Sequence, residues 1–375
     1  MRPTSKPYPP IVVLCQALKS PTRRGVRRPE KPTGYVDSGA DIAFALRRQG
    51  FDVRTPVSKP SPENERDWVF LDDPRGFQTA LQSGAGILWA NTTLFAGHPI
   101  ECLASSWRIV GQTPQCADQF DDKWIANQAL RKAGCQVAVS LLVSLADSAD
   151  GLPLVELRQR GALHDGSLKF PVVAKPVRGR GSEGVCVIGD ERELHNYVAG
   201  EMSFDRRRHG DAILLEEFLP GDEITVTVFP PGRLYSEPAL SRGEYWSLPP
   251  VRRFAHIDQI APYSGETPVA ENSQAITSPD ELEKVRRIIR DCEVAARIVG
   301  ARAPIRIDCR AGETGAYKIF DVNLKPNLAG PGRPGRDNQL SLVGIAAQGL
   351  GWTYEDLVAN MLMLNWPCSG GLAGY

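Results

Sequence analysis

The stretch that most narrows the fold is residues 305–324, IRIDCRAGETGAYKIFDVNL. Two runs of alternating character flank Gly-Glu-Thr-Gly, a turn composition, so they read as the strands of a hairpin. Successive side chains of a strand point to opposite faces. Alternation puts Ile305, Ile307 and Cys309 on one face and Arg306 with Asp308 on the other. In the return strand Asp321 and Asn323 share a face, and Phe320, Val322 and Leu324 share the opposite one. Buried charge is costly unless it is paired or bound to a metal. The polar face is therefore either a solvated Arg–Asp surface, worth little, or an oxygen-donor set for a divalent cation such as Mg²⁺. Asn323 favours the second, because a neutral amide adds nothing to a surface ion pair.

The first third alternates strand and helix signals. Strands are expected at IVVLC, FDVRTP, WVFLDD, GILWA and WRIVG. Helices are expected at 37–50, capped by Asp37 or Ser38, and after Pro74. That βαβ order implies a parallel sheet with covering helices. Residues 118–134 read as one helical block. FPVVAKP, GVCVIGD and AILLEEFLPGDEITVTVFP read as further strands, the last as a pair around a Pro-Gly turn. Residues 278–300 form the clearest helix, with Ser278 as cap, Pro279 at its first position, Glu281 completing a capping box and Gly300 as stop. Boundaries near 115 and 218 give three units, 1–115, 116–218 and 219–375. The fold class is α/β followed by α+β.

Lys plus Arg equals Asp plus Glu, 44 each, so no global field steers nucleic acid. The eight cysteines form no C-x-x-C pair and read as small buried thiols in a reducing compartment. No signal peptide or membrane-length apolar run is present, and the cytoplasm is the expected location.

Two segments suit a nucleotide. Lys175 ends a strand that runs into a loop containing Gly179, Gly181 and Gly184, with Ser182 and Glu183 between the last two. A strand follows these glycines where a dinucleotide fingerprint needs a helix. The loop is either a flap whose N–H groups close over phosphates or an ordinary hairpin turn. In LLEEFLPGDEITV, Glu216 and Glu217 end an apolar strand and Glu223 follows a turn. Taken alone, this is a charged hairpin rim.

Taken in order, these parts resemble the ATP-grasp superfamily, and within it the D-alanine–D-alanine ligases, over residues 108–360. The resemblance implies an ATP-grasp fold behind an N-terminal parallel α/β unit. It implies an ATP-dependent carboxylate–amine ligase with ATP and Mg²⁺ (Mn²⁺ as an alternative), small-molecule substrates and a homodimer. By position, Lys123 and Lys175 resemble the phosphate-contacting lysines, and Gly181, Ser182, Glu183 and Gly184 the closing loop. Glu216 resembles the residue near the adenine amino group, with Glu217, Phe218 and Leu219 as the adenine-side linker and Glu223 as the ribose acid. Asp308, Asp321 and Asn323 resemble the metal ligands, although the family usually has Glu where Asp321 stands. Arg306 resembles the oxyanion arginine. Ser341 and Leu342, with Arg333 before them, resemble substrate-gripping residues.

The loops depart from the family. The segment after the first strand carries Arg23, Arg24, Arg27, Arg28 and Lys31 in place of an acidic residue. It reads first as a solvated loop, with contact to an acidic substrate as the alternative. These departures point away from D-alanine as the substrate. Tyr245, His256 and Tyr263 are loop candidates for the base that takes the amine's proton. Two other readings share the nucleotide site: a small-molecule kinase and a nucleotide-binding regulator without turnover.

Overall fold

A computed structural model describes residues 8–144, 168–203, 210–237, 240–254 and 269–368. His256 and Tyr263 lie outside the described residues. Among the described residues no helix is long and apolar enough to cross a membrane.

The first unit is a parallel sheet of β1 (Ile11–Cys15), β2 (Phe70–Leu71), β3 (Ile87–Asn91) and β4 (Arg108–Val110), in order β4–β3–β1–β2. Every residue of β1 and β3 is buried, as a strand covered on both faces requires. The expected strand at FDVRTP is a single bridge from Val53 to Ile11. The helix Val36–Arg48 packs on this sheet. Neither Asp37 nor Ser38 caps it. Its N-cap is Tyr35, in left-handed backbone at φ 63° and without a side-chain cap. The helix after Pro74 runs to Gln82 and is capped by Asp73.

The expected block 118–134 is two helices, Pro114–Phe120 and Lys123–Lys132. Asp122 breaks it by capping the second helix through the Ile125 N–H. The central sheet orders β5 (Ser140–Ser144), β8 (Ala212–Glu217), β6 (Val172–Pro176) and β7 (Cys186–Ile188). The third sheet is built on β9 (Glu223–Phe229), which is buried throughout. β15 (Ile305–Ala311) and β16 (Tyr317–Asn323) extend it on one side, and β13 (Val251–Arg253) and β14 (Ser273–Ala275) on the other. β8 and β9 are thus not a hairpin: the Pro-Gly turn carries the chain from one sheet to the next. The helix Pro279–Ile298 covers the third sheet with Val285, Ile288, Cys292, Ala295 and Ala296. Ser278 makes no side-chain cap there, and Glu281 pairs with Arg252 at 2.9 Å in place of a capping box.

β17 (Trp366–Pro367) returns to the first sheet, antiparallel to β4. The Trp366 indole donates to the Gly111 carbonyl at 2.8 Å and the Cys368 N–H to Trp107 at 2.8 Å. All eight cysteines are free; Cys102 and Cys186 are exposed, unlike the buried thiols expected.

Candidate active site

The two later sheets and the segment 28–35 enclose a cavity of about 630 Å³. Its floor is the β15–β16 hairpin. Arg306 pairs with Asn323 and Asp308 with Asp321 in register, so all four polar groups stand together. Facing like charges destabilise a strand pair, and here each carboxylate has a cation. Arg306 donates from Nε and Nη2 to the two oxygens of Asp308, both at 2.8 Å, and Asn323 Nδ2 donates to Asp308 at 2.9 Å. Lys123 donates to Asp321 at 2.8 Å. A bulge after Asp308 shifts the register, so Cys309 faces Ile319 and not Phe320. Phe320 therefore lines the cavity, against strict alternation.

The wall is β6 and β8. Lys175 meets the buried Glu216 carboxylate at 2.5 Å and donates to the Phe320 carbonyl at 2.9 Å. Lys123 opens its helix, where a cation opposes the helix dipole; Asp321 offsets this. Burial pushes the Asp321 carboxyl up, but Lys123 and then Lys175 outweigh it and hold it down at about 2. Burial pushes the Asp308 and Glu216 carboxyls above their ordinary values, with Arg306 and Lys175 respectively opposing the rise. Burial would lower the Lys123 ammonium, yet Asp321 holds it above its ordinary value.

Next along the wall, Glu217 accepts from Lys318 at 2.7 Å and from the Val139 N–H at 2.7 Å. Phe218 and Leu219 continue the lining. Glu223 is buried 3.6 Å from Arg253, its partner across β9 and β13. The glycine loop 179–184 covers the cavity, with Gly181 at φ 61°, Ser182 at φ 57° and Gly184 at φ 72°. The Tyr197 hydroxyl donates to the Gly184 carbonyl at 2.9 Å. A serine in left-handed backbone costs of order 1–3 kcal/mol and persists only where its surroundings hold it.

Three expectations fall elsewhere. Arg333 is buried against Asp41 at 2.9 Å and Glu65 at 2.8 Å, away from the cavity. Ser341 caps the helix Leu342–Gly349 by accepting the Gly344 N–H at 3.3 Å; only Leu342 of that pair reaches the cavity. Tyr245 packs against the core of the third sheet, its hydroxyl donating to the Ala301 carbonyl at 3.0 Å. The basic segment is in part tied down, although Arg24 and Arg27 stay exposed. Arg23 binds Asp118 at 3.0 Å, Arg24 binds Asp122 at 3.1 Å, and Arg28 binds Asp121.

Sequence reasoning missed Lys325, Tyr35 and Arg253, all of which line the cavity, as does Arg28 of the basic segment. Lys325 was reachable: it continues the period-two series Asp321, Asn323. Burial, and next the neighbouring Lys31, bring its ammonium down to about 7; Asp37 opposes, and Arg28 and Arg180 reinforce.

Among the described residues no cluster of three His, Cys, Asp or Glu is arranged for a metal. The set at the hairpin is two carboxylates and one amide. These are hard oxygen donors of the kind Mg²⁺ takes. A carboxylate offers about four lone-pair sites, so the bonds from Arg306 and Lys123 do not exhaust Asp308 and Asp321. The donor set fits such a cation.

A family model described as D-ala D-ala ligase C-terminus matches residues 156–363, more than half of the chain. The chain is 26% identical over 337 residues to the D-alanine–D-alanine ligase of Mannheimia succiniciproducens, covering 88% of this chain and 92% of that one. It is 28% identical over 334 residues to that of Geotalea uraniireducens, covering 87% and 89%. Among solved structures it resembles the D-alanine–D-alanine ligase from Bacillus anthracis complexed with ATP, at TM-score 0.62 and 15% identity over 95% of this chain and 97% of that one. It also resembles the VanG D-Ala:D-Ser ligase from Enterococcus faecalis, at TM-score 0.57 and 14% identity over 95% and 99%. These neighbours share its ATP-grasp architecture.

Proposed function

The chain belongs to the D-Ala–D-Ala ligase C-terminal-domain family, and on that footing we propose that it is an ATP-dependent, ADP-forming carboxylate–amine ligase joining amino acids by a peptide bond. The observation that carries the reading is the hairpin floor, where Arg306, Asp308, Asp321 and Asn323 stand beside Lys123 and Lys175 in one cavity.

In this reading Phe218 and Leu219 take the base, Glu223 the ribose, and Lys123 and Lys175 the phosphates. Glu216, buried against Lys175 at 2.5 Å, holds that ammonium in place. A divalent cation held by Asp308, Asp321 and Asn323 neutralises phosphate charge when bound. The first substrate's carboxylate oxygen attacks the γ-phosphorus, the bridging bond to the β-phosphate breaks, and ADP leaves with the electron pair. The amine of the second substrate then attacks the acyl carbon, inorganic phosphate leaves, and the nitrogen loses one proton. Arg306 stabilises the oxyanion between these steps; the fork on Asp308 fixes its guanidinium plane. The 179–184 loop excludes water from the acyl phosphate. The use of ATP fits a cytoplasmic reaction between small molecules, and the resemblance supports a homodimer, which light scattering tests.

The experiment is ADP release from ATP and Mg²⁺ over a panel of amino acids, singly and in pairs, with the peptide product read by mass spectrometry. Ligation requires turnover that depends on both a carboxylate and an amine. A stable phosphorylated product formed without an amine would make the protein a kinase.

A further inference from the structure

Tyr35 lines the cavity beside Lys325 and Arg180. Its backbone is left-handed at φ 63°, a conformation that costs a bulky residue of order 1–3 kcal/mol and marks a constrained position. Its carbonyl is pinned by Asn91 Nδ2 at 2.9 Å and the Ser38 hydroxyl at 3.3 Å, and the residue is 4% exposed. Three cations surround that ring. Lys325 Nζ lies 4.1 Å from the centroid, Lys31 Nζ 5.1 Å and the Arg180 guanidinium 5.4 Å. Arg28 lines the same cavity.

Two of these cations are matched. Lys31 has Asp37 at 3.0 Å, and Arg28 has Asp121. Among the described residues, Lys325 and Arg180 have no carboxylate partner. The ammonium of Lys325 reaches only the Pro326 carbonyl, at 3.4 Å, and Arg180 Nη1 is buried without a hydrogen bond. Two unmatched cations held at one ring repel each other unless an anion stands with them. The metal-site carboxylates do not serve, since Asp308 is held by Arg306 and Asp321 by Lys123.

Lys325 also lines the adjoining pocket that reaches Asn91, Thr92 and Thr93 at the carboxyl end of β3. Ligands of open α/β sheets bind at that end of the strands. The unmatched charge thus adjoins the carboxyl end of the first unit's sheet.

We propose that Lys325 and Arg180, set about Tyr35, form an anion subsite that reads a second acidic group, a carboxylate or phosphate, on the side chain of an amino-acid substrate. This deepens the ligase reading and rests on it. The enzyme selects an acidic amino acid such as aspartate, glutamate or phosphoserine over alanine, because a neutral side chain leaves two cations unmatched.

The test has a binding arm and a turnover arm. Calorimetric titrations use alanine, aspartate, glutamate and O-phosphoserine against the full chain with MgADP present, so that nucleotide phosphates are already supplied. One acidic probe should bind at least about 10-fold tighter than alanine, the factor equal to about 1.4 kcal/mol. Lys325→Gln should erase that preference while the affinity for a non-hydrolysable ATP analogue stays within about 2-fold, and Lys325→Arg should restore part of it. If Lys325→Gln does not fold, Lys325→Met, which keeps the aliphatic stem and removes the charge, carries the same comparison. Equal binding of acidic and neutral probes overturns the proposal, as does a loss that falls on the ATP analogue, since the cations would then serve the nucleotide. In turnover, the same substitution should raise KM for the acidic substrate with kcat little changed. Acid-selective binding without ADP release would retain the subsite and count against ligation.

Discussion

Along the β6–β8 wall and the hairpin floor, Lys175 faces Glu216 and Lys123 faces Asp321; elsewhere in the same cavity, Lys325 and Arg180 face an aromatic ring. Both regions are cationic and both line one cavity. At the first, every lysine is held by a carboxylate of the fold, so its position is set before a ligand arrives. At the second, the fold supplies cations in excess of their carboxylates. A buried ion pair organises a site; an unmatched charge leaves room for a ligand to complete it.

The sharpest way to break the contrast is at the floor. Asp321→Ala should lower ATP turnover by about 10²–10³-fold, the scale for losing one charge-stabilising group, with the far-UV circular dichroism spectrum unchanged. Chelation with EDTA should stop ADP release in the parent protein in the same assay. Full activity of the variant would remove Asp321 from the metal assignment.

Lys175→Met comes next. It leaves the Glu216 carboxylate buried without its cation, which costs about 3–5 kcal/mol, readable as a fall in the denaturant midpoint. The double variant Lys175→Met, Glu216→Gln should recover most of that loss. A single variant as stable as the parent would mean that the wall does not depend on the pair.

The basic segment offers a milder test. Arg28→Gln should cost about 1 kcal/mol, the upper range for a partly exposed pair. A neighbouring tie of the segment, from Arg23 to Asp118, has a pH signature. Burial pushes its carboxyl up, but hydrogen bonds from Arg23 and Arg178 outweigh this and hold it below its ordinary value. A carboxyl held low stabilises fully above its unfolded value, and the contribution is lost as pH falls through the folded one. Hydrogen-exchange protection at Val26, corrected for intrinsic rate, should hold at neutral pH and fall only in acid below the ordinary carboxylate range. The smallest effect belongs to Lys318→Ala: its pair with Glu217 is about a quarter exposed on both sides, so the loss should stay under about 1 kcal/mol.

The hairpin floor was legible because alternation at period two is set by the backbone alone. Phe320 was not, because a bulge is a departure from that period and IFDVN carries no glycine to mark it. Local signals also failed where a distant partner decided the outcome. Glu281 had the spacing of a capping box but found Arg252. Arg23, Arg24 and Arg28 read as solvated because Asp118, Asp122 and Asp121 lie more than ninety residues away in sequence. The apolar runs of β8 and β9 were plain, but not their assignment to different sheets, since a Pro-Gly turn serves a hairpin and a crossing equally well. Arg333 lies between Asn323 and Ser341 in sequence, yet Asp41 holds it 292 positions away.

The pairing of β17 with β4 joins the two extremes of the described chain in a single layer. The path leaves the first sheet, builds the other two, and comes back to fasten on its starting layer through Trp366 and Cys368. The first unit is consequently clasped rather than tethered: to melt alone it must shed a strand covalently attached to its neighbours. Such closure ties the melting of the layers together and favours one shared transition over three separate ones.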